Sequence, residues 1–199
     1  MPIQILPREL PKNIASFIGN FGAKLGIEPN SITTFGLVGT ISSAWLVGAN
    51  FLLTAGILYL FFSALDFVDG AVARASGKST SFGAILDAVF DRAGETIMLT
   101  GCVWYFIDRG EGWQGLVALT AIFGSVTVSF VKSEGERRGI KVYEGFFRRQ
   151  ERVLILGIGL IANGLTVAIV VLALLANVTA VQRLVLLAIR RKSRPRTTT

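Results

Sequence analysis

Apolar residues run along this chain in stretches too long for the alternation of a half-buried strand or the three-and-four spacing of a soluble surface helix. Crossing the hydrocarbon core of a bilayer takes about 20 such residues in helical form. Windows of that kind predict six spans, at 32–48, 51–69, 84–107, 114–132, 148–163 and 165–189. The fifth is short, and Asn163-Gly164 predicts the turn between it and the sixth. Pro29-Asn30-Ser31 predicts a stop and then a helix N-cap ahead of the first span. Further upstream, residues 6–25 set Leu10, Ile14, Phe17, Ile18 and Phe21 among Lys12, Asn13 and Lys24, the spacing of a helix lying in the membrane interface or capping the bundle. The expected fold is therefore all-α: an integral membrane bundle of six transmembrane helices preceded by an amphipathic interfacial helix. Residues 1–199 form one domain, with a basic tail at 190–199.

Composition agrees with the pattern, since 52% of the residues are hydrophobic and the mean hydropathy is +0.60, far above an ordinary soluble domain. The start carries no short basic-apolar-small segment, so the first span is expected to serve as its own insertion signal. Cys102 is the single cysteine and lies in an apolar run, which excludes a disulfide within the chain and a cysteine cluster for zinc. Histidine is absent. A general base must then be a carboxylate or a lysine, and a metal must be a hard cation held by oxygen, magnesium being the common choice.

The net charge of +7 matters less than where it lies. Arg8, Lys12 and Lys24, then Arg74 and Lys78, the segment Lys132 to Arg152, and the tail with Arg190, Arg191, Lys192, Arg194 and Arg196 fall on one side of the predicted spans. The connections at 48–50, 108–112 and 163 on the other side carry only Arg109, beside Asp108 and Glu111. By the positive-inside rule both termini, the carboxylates and the long basic loop face the cytoplasm, across the cytoplasmic membrane. Trp104, Tyr105 and Trp113 then form an interfacial belt at the outer boundary. A basic stripe beside membrane spans orients the protein or gathers anionic lipid, so membrane lipids and not nucleic acid are the expected partner.

Candidate chemistry concentrates between residues 66 and 91. Asp66 and Asp69 are three apart and Asp87 and Asp91 four apart, so on helices each pair shares a face. Both pairs sit at the polar ends of apolar segments joined by the small, polar loop 75–82. A helix hairpin there brings the pairs together around one or two divalent ions and an anionic phosphate. Gly70, Ala73 and Gly83 keep the walls small, and Arg74 and Lys78 add charge for a phosphate or pyrophosphate. Nearby basic residues are too few to pair all four acids in a purely structural network. A small cation or proton transporter is the main rival, but transport sites lie near the midplane on interrupted helices in two related halves. Here all four acids lie at one surface and no second half repeats them.

The pattern Asp66-x-x-Asp69-Gly70-x-x-Ala73-Arg74, then eight residues, then Gly83-x-x-x-Asp87-x-x-x-Asp91 resembles the signature of the CDP-alcohol phosphatidyltransferase family, with every defining position filled. In that family the hydroxyl of a small alcohol attacks a CDP-linked lipid, releasing CMP and forming a phosphodiester. The resemblance implies that Asp66, Asp69 and Asp87 hold metal, Mg2+ or Mn2+ and two ions, with Asp91 shared between metal binding and the role of general base. It implies that Asp69, Gly70, Ala73, Arg74 and Gly83 contact the CDP-linked lipid, and that the protein is a homodimer.

Lys132, Arg137, Arg138, Lys141, Arg148, Arg149 and Arg152 lie on the side of the aspartates, enough positive charge for a phosphorylated acceptor. Ser129-Phe130-Val131-Lys132, Gly145 and Arg149-x-x-Arg152 resemble the phosphatidylinositol phosphate synthase branch and its archaeal counterparts. By that resemblance Lys132, Arg149 and Arg152 bind the phosphate of inositol 1-phosphate. Glycerol 3-phosphate, which would make the chain a phosphatidylglycerophosphate synthase, is the alternative acceptor. One position departs from the branch: Glu134 stands where a second basic residue is usual. Among the remaining charges, Arg138 and Lys141 read as orientation determinants, Arg92 and Glu95 as partners of each other or of Asp91, and Arg183 as a side chain that snorkels to the interface.

Overall fold

Each of the six apolar windows folds as an α-helix: α1 Pro29–Gly48, α2 Leu52–Ala75, α3 Ser81–Asp108, α4 Gly112–Arg137, α5 Arg149–Ile161 and α6 Leu165–Lys192. The computed structural model describes residues 24, 28–75, 80–140 and 147–192, with the backbone alone at 29, 66, 67, 69, 70, 74, 75, 191 and 192. The interfacial helix expected at 6–25, apart from Lys24, lies outside the described residues, as do Lys78, Lys141, Gly145 and the tail beyond Lys192. No strand occurs among the described residues.

Several helices outrun their apolar windows, because a hydropathy window ends where charge begins and a helix does not. α2 continues past Asp69 to Ala75, α4 through Glu134 and Glu136 to Arg137, and α6 through Arg190 to Lys192. Basic residues in a last turn also suit the negative end of the helix dipole. Pro29 begins α1 instead of stopping the chain ahead of it, with Glu28 as N-cap. Proline is pre-set for the first helical position, where its missing N–H costs nothing, so the expected cap near Ser31 moves upstream. Thr80 caps α3, its hydroxyl accepting from the Gly83 N–H at 2.9 Å.

Four helix ends close in one way. Asn50, Gly110, Gly139 and Asn163 take positive φ, and the next N–H reaches back five residues: Phe51 to Leu46, Glu111 to Phe106, Ile140 to Gly135 and Gly164 to Gly159, at 2.7–2.8 Å. This is the left-handed closure that satisfies the last carbonyls of a helix. It makes the connections α1–α2, α3–α4 and α5–α6 tight.

The six helices close into a ring. The principal packing pairs are α1 with α2 and α3, α4 with α3 and α6, and α5 with α2 and α6. α1 therefore packs against both α2 and α3, and among the described residues those two are not themselves a principal pair. Small residues permit the crossings. A Cβ added at Gly101 of α3 would lie 2.5 Å from the Ala44 carbonyl oxygen of α1, and one at Gly157 of α5 would lie 2.4 Å from Leu60 of α2. Asn177 of α6 meets α4 through its side-chain amide, which donates to the Thr120 carbonyl at 2.9 Å. Inside the ring Ala44, Val47, Ala55, Tyr59, Met98, Leu99, Cys102, Phe106, Leu156, Leu160 and Ile169 are buried together. Outside it, Phe35, Trp45, Phe61, Trp104, Trp113, Phe123 and Val178 are exposed. The core is apolar as in a soluble bundle, but the exterior is apolar too, which suits a lipid surround.

Among the described residues three stretches are long and apolar enough to cross a membrane: Asn30–Gly48, Gly112–Arg137 and Leu165–Arg190. α2 offers the shorter apolar run Leu52–Leu65. α3 carries Asp87, Asp91, Arg92 and Glu95 in its first half, and α5 has 13 residues, about 20 Å of helix.

Candidate active site

The charged half of α3 faces a cavity of about 590 Å³ at one end of the ring. α3 contributes Asp87, Ala88, Asp91, Arg92 and Glu95, and α4 contributes Val128, Ser129 and Lys132. The start of α5 adds Arg148, Arg149, Gln150 and Arg152, and α6 adds Arg183. Helical periodicity explains the arrangement. Residues 87, 91 and 95 recur every four positions and so share one face of α3, while 149 and 152 share one face of α5. Glu151 fixes the entry to α5 by accepting from the Arg148 N–H at 2.5 Å, the carboxylate half of a capping box.

Six cationic side chains and three acidic ones line the cavity, an excess that draws an anion. Asp91 accepts from Arg149 at 2.7 Å, both side chains being partly exposed. Glu95 and Arg152, both buried, form a bidentate pair, with Arg152 Nη2 donating to Oε2 at 2.8 Å. Arg92 donates to Ser133 Oγ at 2.6 Å and to the Ala88 carbonyl at 2.7 Å, tying α3 to α4. Glu95 and Arg92 thus do not pair with each other, and the Asp91 ion pair is with Arg149, because the α5 arginines meet that face of α3 across the ring. Lys132 is half-exposed and 3.9 Å from Glu136, a loose surface contact of little energetic worth.

Arg183 corrects the expectation of a snorkelling side chain. It is 5% exposed, lines the cavity, and donates through Nη1 to the Val128 carbonyl at 3.0 Å. Its Nε is buried with no hydrogen-bond partner among the described residues. A buried guanidinium with a spare donor at a cavity wall is suited to an incoming anion. Hydropathy gave it no mark as a site residue, since a single arginine late in an apolar helix reads the same whether it faces lipid or ring. Glu134 also finds a local explanation: its carboxylate accepts from Arg137 at 3.0 Å and from Arg138 at 2.5 Å, in the last turn of α4.

Asp87, Asp91, Lys132, Arg149 and Arg152 therefore share one cavity. Gly83 stands one turn before Asp87, off that wall, where an added Cβ would lie 3.0 Å from Thr80 Oγ1 and 3.2 Å from Asn30 Oδ1. Ala73 is partly buried in the last turns of α2. Asp66, Asp69, Gly70 and Arg74 are described by backbone, all within α2; their side chains lie outside the described set. Among the described residues no three carboxylates, thiols or imidazoles cluster. The two carboxylates that are described supply oxygen, one turn apart, at the wall of a cavity open to solvent, which is the donor chemistry of a hard divalent cation.

An all-helical membrane bundle whose cavity sets carboxylates against guanidinium groups belongs with enzymes that handle phosphate esters at a bilayer. Residues 27–190 match the CDP-alcohol phosphatidyltransferase family, and the chain belongs to it. It is similar to the phosphatidylinositol phosphate synthase of Mycobacteroides abscessus, 33% identical over 190 residues, covering 90% of this chain and 86% of the relative. The archaetidylinositol phosphate synthase of Pyrococcus horikoshii is 32% identical over 167 residues, covering 83% and 86%. Among solved structures, Mycobacterium tuberculosis phosphatidylinositol phosphate synthase with CDP-DAG bound superimposes with a TM-score of 0.81 at 27% identity, over 88% of this chain and 94% of that one. The same enzyme in complex with manganese and citrate gives 0.79 at 28% identity, over 87% and 88%. This chain is a transferase of phospholipid synthesis.

Proposed function

We propose that the chain transfers the phosphatidyl group of a CDP-linked lipid, CDP-diacylglycerol or a close analogue, to inositol 1-phosphate, with release of CMP. The observation that carries the acceptor is the cavity: beside Asp87 and Asp91, it sets Lys132 and Arg149 on its wall with Arg183 and Arg152 behind them. A neutral alcohol would leave the cavity's surplus of positive charge uncompensated, whereas a phosphate monoester neutralises it.

The proposed ligands for two divalent ions, Mg2+ or Mn2+, are Asp66, Asp69, Asp87 and Asp91; a manganese complex of the similar mycobacterial enzyme supports the metal class. Bound there, the cations would offset charge on the pyrophosphate and on departing CMP. The chain's own residues do the rest. Lys132 and Arg149 hold the acceptor phosphate, and Arg152 and Arg183 fix the field behind it. The acceptor hydroxyl attacks the lipid-side phosphorus, the bond from that phosphorus to the CMP oxygen breaks with its electron pair leaving on CMP, and the hydroxyl proton passes to Asp91. Proton transfer late in a loose transition state asks little basicity of a carboxylate. Asp69, Gly70, Ala73, Arg74 and Gly83 are proposed to receive the CDP moiety, where small side chains let the nucleotide approach the backbone.

All six helices are proposed to cross the cytoplasmic membrane, with the cavity and both termini on the basic, cytoplasmic side, and the protein is proposed to act as a homodimer. The test is CMP release by purified protein in detergent with Mg2+ and CDP-diacylglycerol, comparing inositol 1-phosphate, glycerol 3-phosphate, serine and free inositol. Turnover with inositol 1-phosphate alone supports the reading. Turnover with glycerol 3-phosphate alone keeps the mechanism and replaces the acceptor, and turnover with free inositol contradicts the phosphate grip.

A further inference from the structure

Among the described residues α3 and α5 are not a principal packing pair of the ring, yet two ion pairs span the space between them. The outer one, Asp91 with Arg149, has side chains 28% and 29% exposed. One turn deeper, Glu95 meets Arg152 with side chains 8% and 2% exposed. The two rungs differ in what can reach them. Solvent and substrate reach the outer rung, so its partners can exchange, while the members of the inner rung are buried in the cavity wall and held to each other. Glu95 engages Nε and Nη2 of Arg152, and Nη1 donates to the Phe147 carbonyl at 3.4 Å. A guanidinium held by a planar two-point fork is fixed in rotation as well as distance. Arg152 lies one turn from Arg149, so whatever fixes the first sets the rotation of the helical turn that carries the second.

We infer that Glu95 is a positioning residue for the acceptor: through Arg152 it holds the first turn of α5 so that Arg149 is aimed at the acceptor phosphate. Glu95 stands outside the aspartate signature and outside the lysine and arginine positions assigned to the phosphate. The inference rests on the acceptor reading proposed above. Its chemistry is positional, because a carboxylate in the wall of an anion site repels the ligand unless its charge is consumed by a partner.

The experiment is steady-state kinetics of Glu95→Gln and Glu95→Asp in detergent, varying inositol 1-phosphate and CDP-diacylglycerol in turn, with the thermal midpoint measured on the same preparations. The KM for inositol 1-phosphate is expected to rise about tenfold in Glu95→Gln and about threefold in Glu95→Asp, while the KM for CDP-diacylglycerol stays within about twofold of the parent. Glu95→Asp keeps the buried charge balanced and shortens the reach by one methylene, so it reports on position where Glu95→Gln does not fold. An unchanged acceptor KM in folded Glu95→Asp overturns the inference. So does a parallel loss of both KM values, kcat and thermal midpoint, or a failure of both variants to fold, since each reduces the pair to a structural strut. Lys132→Gln separates this from the reading beneath it. An acceptor KM unmoved by Lys132→Gln sinks the acceptor reading itself, whereas one that rises there but not in the Glu95 variants sinks only the role of Glu95.

Discussion

The two halves of α3 do opposite work on one continuous helix. From Ser81 to Glu95 it presents Asp87, Asp91 and Glu95 to a cavity and is held by ion pairs across the ring. From Thr96 to Asp108 it presents Met98, Leu99, Cys102 and Phe106 to the core and is held by close packing, with Gly101 against Ala44. The difference teaches where precision and stability come from in this fold. Carboxylates proposed to hold ions and accept a proton have to stay within reach of water, so Asp87 and Asp91 add little packing and depend on the packed half to keep their side chains aimed.

Substitutions in the two halves should therefore separate activity from stability. The largest effect is expected from Asp87→Asn, which removes a charged oxygen donor with little change in shape: CMP release should fall on the order of 10²- to 10⁴-fold, with the thermal midpoint preserved. A fall in midpoint that accounts for the lost activity would erase the distinction. On the cavity wall opposite α3, Arg183→Gln should raise the acceptor KM roughly tenfold, the worth of one charge-assisted hydrogen bond, with the KM for CDP-diacylglycerol little changed. Gly101→Val in the packed half should do the reverse, costing about 1–3 kcal/mol of stability from overpacking against the Ala44 carbonyl, while the acceptor KM of the protein that remains folded stays put. Smallest of all, Arg137→Gln should leave CMP release unchanged within about twofold, since its partner Glu134 and its exposure place it in surface charge pairing.

The packed half of the molecule was legible in the sequence and the charged half only partly so. Long apolar windows mark helices because the membrane demands them, and all six windows became helices. Their ends were not legible from hydropathy, as the runs from Gly70 to Ala75 and from Ser133 to Arg137 show, because propensity and charge carry a helix past its apolar part. Within the site, fixed spacing made the aspartates readable, since residues three or four apart share a face in any helix. What spacing could not supply was the closure of the ring. Glu95 and Arg152 are 57 residues apart, and no local pattern says that α5 comes to face α3. The same blindness hid Arg183, whose burial depends on α4 supplying the Val128 carbonyl.

One cavity joins the aspartates of α3 to cationic side chains on α4, α5 and α6, the proposed phosphate grip. The most direct test is the pair of KM values in Arg149→Gln, measured with inositol 1-phosphate and with CDP-diacylglycerol under saturating Mg2+. The acceptor KM is expected to rise about tenfold or more with the donor KM held within about twofold. A raised donor KM with an unchanged acceptor KM would contradict it and would move Arg149 to the nucleotide.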